Sequence, residues 1–212
     1  MNFLVTLGQP IQDRRARRHE ETKAAIVDAA WEVAREKGVA GLSLSDVATR
    51  VGMRVPSLYS YFASKNAIYD AMFAQGNDEF IKFIKDRQAS LPKNPRERLR
   101  GAFHIYFDFC TQDPVRYQLL FQRTIPDFEP SEASYAKAIE VLRLFREDLA
   151  SIGLAGDQQD EDLLTALSSG LVDQQVANDP GGDRWARLVD TVADMAYDHV
   201  MKKKRRRGRH AT

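Results

Sequence analysis

Cysteine is nearly absent. Cys110 is the one thiol in 212 residues, so no intrachain disulfide can form and no set of thiolates can hold zinc. Long apolar runs are missing too. None approaches the roughly 18–20 residues that a membrane-spanning helix requires, and the opening MNFLVTLGQPIQD has neither the basic start nor the apolar length of a secretory signal. A cytoplasmic chain without a membrane partner is the expectation. Histidine is sparse and scattered, at His19, His104, His199 and His210. The sequence holds no HExxH, no paired Glu-x-x-His and no glycine-rich phosphate loop. An all-helical enzyme therefore lacks its usual metal and phosphate machinery here, and no cofactor is expected. Two-residue alternation of the kind strands need is not found, nor is an internal repeat.

The composition that remains, 43% hydrophobic and 29% charged, is that of an ordinary globular chain, long enough for one large domain or two small ones. Charge is unevenly spread. Residues 1–65 hold ten Lys/Arg against seven Asp/Glu, residues 66–201 hold 14 against 23, and residues 202–212 hold seven basic side chains and no acidic one. The two ends suit a polyanion and the middle does not, unless these charges are simply solvated.

Apolar residues recur at helical spacing almost throughout. Ala24, Ile26, Val27, Ala30, Trp31, Val33 and Ala34 form one stripe over residues 20–37, which Gly38 ends. In SLSDVATRVG, Ser43 is placed to cap a helix, with Asp46 three residues on, and Gly52 stops it. Pro56 starts a third helix of about seven residues, its fixed φ suited to a first turn. Ser64 caps a fourth that runs towards Ser90, with a bend expected at Gly76. Five more amphipathic segments follow, about 95–111, 115–123, 131–152, 158–178 and 184–202, separated by turn formers such as LPKNP, IPDFEP, GLAG and NDPGGD. The expected fold is all-α, with about nine helices.

Two short helices joined by a glycine-containing turn mark a helix-turn-helix. Here the pair is Ser45–Val51 and Pro56–Phe62, held together by Ala48, Val51, Met53 and Leu58. In such a motif the start of the second helix enters the major groove. Arg54, Val55, Pro56, Ser57 and Tyr59 stand there, and Ser60, Tyr61 and Lys65 follow where hydroxyls and a cation reach phosphate oxygens. Leu58 and Phe62 are core positions, and one of Tyr59 and Tyr61 could join them. Arg54 suits either a guanine or a phosphate. Arg14, Arg15, Arg17 and Arg18 precede the first helix as an arm for phosphates or a minor groove, or as a solvated leader. The KKKRRRGR run at 202–209 reads as disordered.

The stretch IVDAAWEVAREKGVAGLSLSDVATRVGMRVPSLYSYFASKNAIYDAMF resembles the DNA-binding domain of the tetracycline-repressor (TetR) family of bacterial transcriptional regulators, over residues 22–73. Ile26, Ala29, Ala30, Gly38, Ser43, Val47, Ala48, Gly52, Met53, Leu58, Tyr59, Tyr61, Phe62, Ser64, Lys65 and Ile68 carry the likeness in order and without a gap. The resemblance implies that Ser43 and Ser45 approach DNA, that Val55, Pro56 and Ser57 face bases, and that Tyr59 and Lys65 meet the backbone. Arg54 stands where many members have serine and Pro56 where many have glycine, so the operator cannot be copied from a relative. The likeness also implies a C-terminal region that pairs two chains and encloses a small-molecule pocket.

Phe103, Tyr106, Phe107 and Cys110 share a helical face and, with Tyr117 and Phe121, are the expected lining for an apolar or aromatic effector; each is also a plausible core residue. Gln174 and Asn178, with Gln175, His104 and Asp108, are candidates for its polar part. Leu163, Leu167, Gly170 and Leu171, together with Trp185, Leu188, Val192, Met195 and His199, give two stripes for a dimeric four-helix bundle. One subgroup of the family carries His-Gly-Leu in its penultimate helix; Ser169-Gly170-Leu171 here lacks that histidine, so the subgroup's pocket chemistry is not carried over. The implied organisation is a flexible basic arm (1–18), a helix-turn-helix domain (19–66), a helical effector and dimerisation domain (67–202) and a basic disordered tail (203–212). The implied function is a homodimeric repressor on a palindromic double-stranded operator, released by a small molecule. The alternatives are a helix-turn-helix dimer with no sensor and, less favoured by the residues, the enzyme already considered.

Overall fold

The structure, a computed structural model, describes residues 9–210 and their side chains from Arg14 to Arg206. Among the described residues there are nine α-helices and no strand: α1 (Gln9–Lys37), α2 (Leu44–Arg50), α3 (Val55–Leu58), α4 (Lys65–Gln88), α5 (Pro95–Gln112), α6 (Pro114–Phe121), α7 (Glu132–Ser151), α8 (Gln158–Asn178) and α9 (Val189–His210). The all-α expectation holds, and the capping chemistry explains where the helices start. Asn94 accepts from the Arg96 and Glu97 amides ahead of α5, and Asp113 accepts from the Arg116 amide ahead of α6. Asp157 and Asp160 form a reciprocal capping box at α8.

Both ends differ from expectation. The flexible arm is helical from Gln9, because α1 extends far upstream of residue 20. Arg17 pairs with Glu21 one turn on at 3.4 Å, and His19 stacks on Tyr61 with ring centroids 4.8 Å apart. Residues 1–8 lie outside the described residues. At the other end α9 continues to His210 rather than dissolving after 202. Lys203 Nζ is held 2.8 Å from Asp157 and 2.7 Å from Asp160, so acceptors at the start of α8 relieve part of the mutual repulsion of the basic run. Residues 211 and 212 lie outside the description.

The chain divides into two compact units, one formed by Met1–Ala74 with Arg123–Ser134, the other by Gln75–Gln122 with Tyr135–Thr212. The division falls after Ala74 rather than near residue 66 because the first turns of α4 bury Ile68, Tyr69, Met72 and Phe73 with the helix-turn-helix. Ile26, Ala30, Trp31, Val33 and Ala34 of α1 are buried there, as are Val47, Ala48, Leu58 and Phe62. The Tyr69 hydroxyl donates to the Val39 carbonyl at 2.7 Å. The segment 123–134 joins this unit through Phe128 against Tyr69, Asn66 donating to the Asp127 carbonyl, and Asp70 accepting from the Ser131 amide and the hydroxyls of Ser131 and Ser134.

The second unit is built around α5. Leu99, Phe103, Ile105, Phe107, Phe109 and Cys110 are all buried and point to more than one side of the helix, which packs against α6, α8 and α9. Gly76 sits in a continuous α4 and serves close approach: a Cβ there would lie 3.1 Å from Leu120. Helices α5 and α9 are also tied by a ladder in antiparallel register. Arg96 pairs with Asp198, Arg100 makes a two-point contact with Asp194, and His104 Nε2 lies 2.9 Å from Asp190. Each rung is four residues from the next on both helices, the spacing at which side chains on one helical face align.

The Arg100 hydrogen bond, opposed in part by burial and reinforced by the charges of Arg100 and Arg96, holds the Asp194 carboxyl below the ordinary carboxylate range. A depressed folded value adds stability that is complete above the unfolded value, about 3.9, and is lost as pH falls through the folded one. Asp194→Asn should lower the urea midpoint at pH 7 and shrink the difference between the midpoints at pH 7 and pH 3.

Candidate nucleic-acid interface and ligand cavity

Helix α2 starts at Ser43, whose Oγ accepts from the Asp46 amide at 3.2 Å and bonds to the Asp46 carboxylate. Lys37 lies 2.7 Å from the same carboxylate. Hydrogen bonds from Lys37 and then Ser43 hold Asp46 below its usual range. The helix ends in two crossed bonds: the Met53 amide donates to the Ala48 carbonyl at 2.8 Å and the Gly52 amide to Thr49 at 3.2 Å. This is the Schellman closure, and it needs a left-handed residue between the two helices. Gly52 supplies it with φ 69°.

That turn delivers the second short helix with its first turn outward. Arg54, Pro56, Ser57, Tyr59 and Ser60 are exposed, Val55 is half-buried, and Leu58 points into the core. Tyr59 is 53% exposed, while Tyr61 is half-buried against His19, so neither tyrosine belongs to the core. Regular α geometry stops at Leu58 rather than Phe62, but the Ser60, Tyr61 and Phe62 amides still bond back to Ser57 and Leu58. Ser45 is exposed beside this turn, and Ser43 is half-buried with its hydroxyl engaged in the cap. Lys65 is half-buried, its Nζ 3.4 Å from the Leu42 carbonyl and over the Tyr69 ring. Arg14, Arg15, Arg17 and Arg18 are exposed along the first turns of α1.

The second unit contains a cavity of about 260 Å³. Its wall is mostly apolar: Phe80, Ile84, Leu91, Phe103, Ile105, Tyr106, Phe121, Val141, Leu142, Leu144 and Phe145, with Gln88, Asp148, Thr165, Ser168 and Ser169 as its polar members. Tyr106 Oη lies 3.1 Å from Ser169 Oγ, and burial pushes the phenol well above its ordinary value. Phe121 and Leu142 are both lining and exposed, so they mark the mouth.

Of the expected lining, Phe103, Tyr106 and Phe121 are present. Phe107 and Cys110 are core residues that do not line the cavity, and burial raises the Cys110 thiol. Tyr117 is buried with its hydroxyl donating to Asp173 at 2.8 Å. Gln174 and Asn178 do not reach the cavity; they bond to each other on the exposed face of α8. Gln175 is the inward polar residue of that helix and closes the following loop, donating to the Asp179 and Gly182 carbonyls and accepting from the Trp185 and Ala186 amides. His104 and Asp108 are exposed. The lining residues missed from sequence, Phe80, Ile84, Phe145 and Asp148 among them, belong to stripes of α4 and α7 that read as ordinary core. Asp148, next to the buried Leu149, was the one available signal.

Residues 26–72 match the family model for bacterial regulatory proteins, tetR family. This segment is a TetR-family helix-turn-helix. The chain is 30% identical over 118 residues to the HTH-type transcriptional activator FasR of Mycolicibacterium smegmatis, a match covering 56% of this chain and 53% of FasR. The chain spans about half the length of the curated relatives it matches. Among solved structures it resembles regulatory protein SCO4313, with TM-score 0.70 and 20% identity over 85% of this chain and 97% of that one. It also resembles the multidrug binding protein EbrR complexed with imidazole, with TM-score 0.60 and 25% identity over 84% and 92% of the two chains.

The two C-terminal stripes divide by exposure. Gly170, Met195 and His199 are exposed, Met195 by 63%. Leu163, Leu167, Trp185, Leu188 and Val192 are half-buried. Leu171 is buried in the chain's own core and does not face outward, since the inner side of α8 packs on α5 and α9.

At Gly52 a Cβ would meet nothing within 4 Å, so backbone strain alone opposes a side chain there. Gly52→Ala should destabilise the fold by roughly 1–2 kcal/mol, the penalty of left-handed backbone for an L-residue, measured by urea unfolding.

Proposed function

We propose that this TetR-family regulator is a homodimeric repressor that binds a palindromic operator and is released when a small molecule fills the cavity of the second unit. The observation that carries the DNA arm is the first turn after Gly52, where Arg54, Pro56, Ser57 and Tyr59 are exposed together on a helix start sized for the major groove. Pro56 and Val55 offer apolar contact to a thymine methyl, Ser57 a short hydrogen-bonding group, and Tyr59 and Arg54 contacts to phosphates. The exposed arginines of α1 extend the cationic surface along the same unit. Two such readers on a twofold axis would engage half-sites about one helical turn, roughly 34–36 Å, apart or somewhat more.

Pairing is assigned to the outer faces of α8 and α9, where Ala166, Gly170 and Met195 leave an uncharged strip that a second copy can cover. Effector control is assigned to the cavity, in keeping with a neighbour described as multidrug binding. Helix α4 begins in the reading unit and ends among the cavity residues Ile84 and Gln88, and α7 begins with Ser134 on Asp70 before lining the cavity from Val141 to Asp148. A ligand that prefers one setting of these helices shifts the spacing of the two readers, and simultaneous engagement is lost. FasR is named an activator, so the direction of output is read by a promoter assay.

Arg54→Ala should weaken binding to DNA sequences uniformly and reduce the salt slope of log K by about one per chain if the guanidinium sits on phosphate. Tyr59→Ala should weaken operator binding about tenfold at fixed salt with the dimer intact, in line with roughly 1–1.5 kcal/mol for one hydrogen-bonded contact; unchanged affinity for both variants would refute the assignment. Met195→Glu should convert the dimer to monomer in sedimentation, because it buries an unpaired carboxylate in the paired face.

A further inference from the structure

The cavity carries a single charged lining residue, and it is negative. Asp148, on α7, is 5% exposed. Its three donors converge on one oxygen: Arg98 Nε at 2.8 Å, Arg98 Nη2 at 2.6 Å and Gln88 Nε2 at 2.7 Å all donate to Oδ1. Among the described residues no hydrogen bond reaches Oδ2, and it is not one of the sealed, unpartnered side-chain atoms, which are Arg116 Nε and Trp185 Nε1. An oxygen so placed keeps acceptor capacity for a donor that enters the cavity. The cation beside it is already committed. Arg98 spends Nε and Nη2 on Asp148, and its Nη1 lies 3.4 Å from the Leu91 carbonyl. No Lys or Arg lines the cavity.

The remaining wall is apolar and rich in rings, with Phe80, Phe103, Tyr106, Phe121 and Phe145, and its mouth at Phe121 and Leu142 is apolar too. An entering molecule therefore meets hydrophobic surface first and a buried acceptor beyond it. We propose that the cavity selects a ring-bearing apolar molecule with a hydrogen-bond donor, a hydroxyl or a protonated amine, seated on Asp148 Oδ2, and rejects the same skeleton ending in a carboxylate. An anionic end would lie against Asp148 with no free cation to receive it, whereas a donor completes the carboxylate's coordination at a charge-assisted distance. This rests on the cavity being the effector site, and it fixes the polarity of what that site accepts.

The test is calorimetric titration of the full-length protein at pH 7 with four probes on one skeleton: 2-naphthalenemethanol, 2-naphthylmethylamine, 2-methylnaphthalene and 2-naphthoate. The alcohol and the amine should bind at least tenfold more tightly than the hydrocarbon, matching one hydrogen bond to a charged acceptor, and 2-naphthoate should bind more weakly still. Naphthoate binding as tightly as the amine overturns the proposed polarity while leaving the cavity as a binding site. Equal affinity for all three uncharged or cationic probes removes the role of Asp148. Binding by none of the four overturns the effector reading itself. In Asp148→Asn, which leaves Arg98 as an unpaired cation, naphthoate should gain at least tenfold relative to the amine, and an unchanged order refutes the proposal. If that variant does not fold, the wild-type series decides alone.

Discussion

A helix that is apolar around most of its circumference has to be wrapped, and α5 is such a helix. Leu99, Phe103, Ile105, Phe107, Phe109 and Cys110 lie around much of its circumference, so α6, α8 and α9 must gather on it before its burial is complete. Water leaves apolar surface on several sides at once, with a gain that scales with the area removed. The remaining exposed strip of α5 is charged, and the ladder from Arg96 to His104 matches it to the aspartates of α9. Apolar burial supplies the driving force; the ladder selects the antiparallel register, since a one-turn slip would bring the wrong pairs together at the ends of the ladder.

Polar groups inside this unit sit where the backbone or a neighbouring helix leaves a demand. Gln175 replaces the hydrogen bonds that the turn after α8 cannot make for itself, and Asp160 joins the start of α8 to Lys203 of α9. Asp148 differs in kind. It meets Arg98 and Gln88 with one oxygen and lines the cavity, so a single carboxylate links α4, α5 and α7 and also shapes what the space between them accepts. Buried pairs of this sort are weak evidence of stability, and removing one partner strands the other.

The first unit works by a different economy. A four-residue α3 cannot stand alone; it holds its place because Leu58 and Phe62 are buried with α1 and α4 residues and because the Gly52 turn sets its direction. The residues that would touch DNA are those the core does not need. That is why exposed Pro56, Ser57 and Tyr59 surround a buried Leu58.

Much of this was legible in the residues, because it depends on short-range chemistry. Capping serines, stopping glycines and the helical stripe around Trp31 act within a few positions, and such contacts set the limits of the first short helix. The cavity was not legible in the same way. Phe103 and Phe107 stand one turn apart on α5, look alike in sequence and are both core residues, yet only Phe103 also lines the cavity. Gln174 and Gln175 are adjacent, and helical phase alone sent the first to the surface and the second inward. The basic run after Met201 looked like a tail until acidic groups 40 residues and more upstream gave it partners. Sequence by itself determined the helices, several of their inner ends and the turn between the two short helices, since each follows from local bonds and spacing. Only the tertiary structure decided which rings enclose a space and which carboxylate closes it, since that depends on several helices meeting around one point.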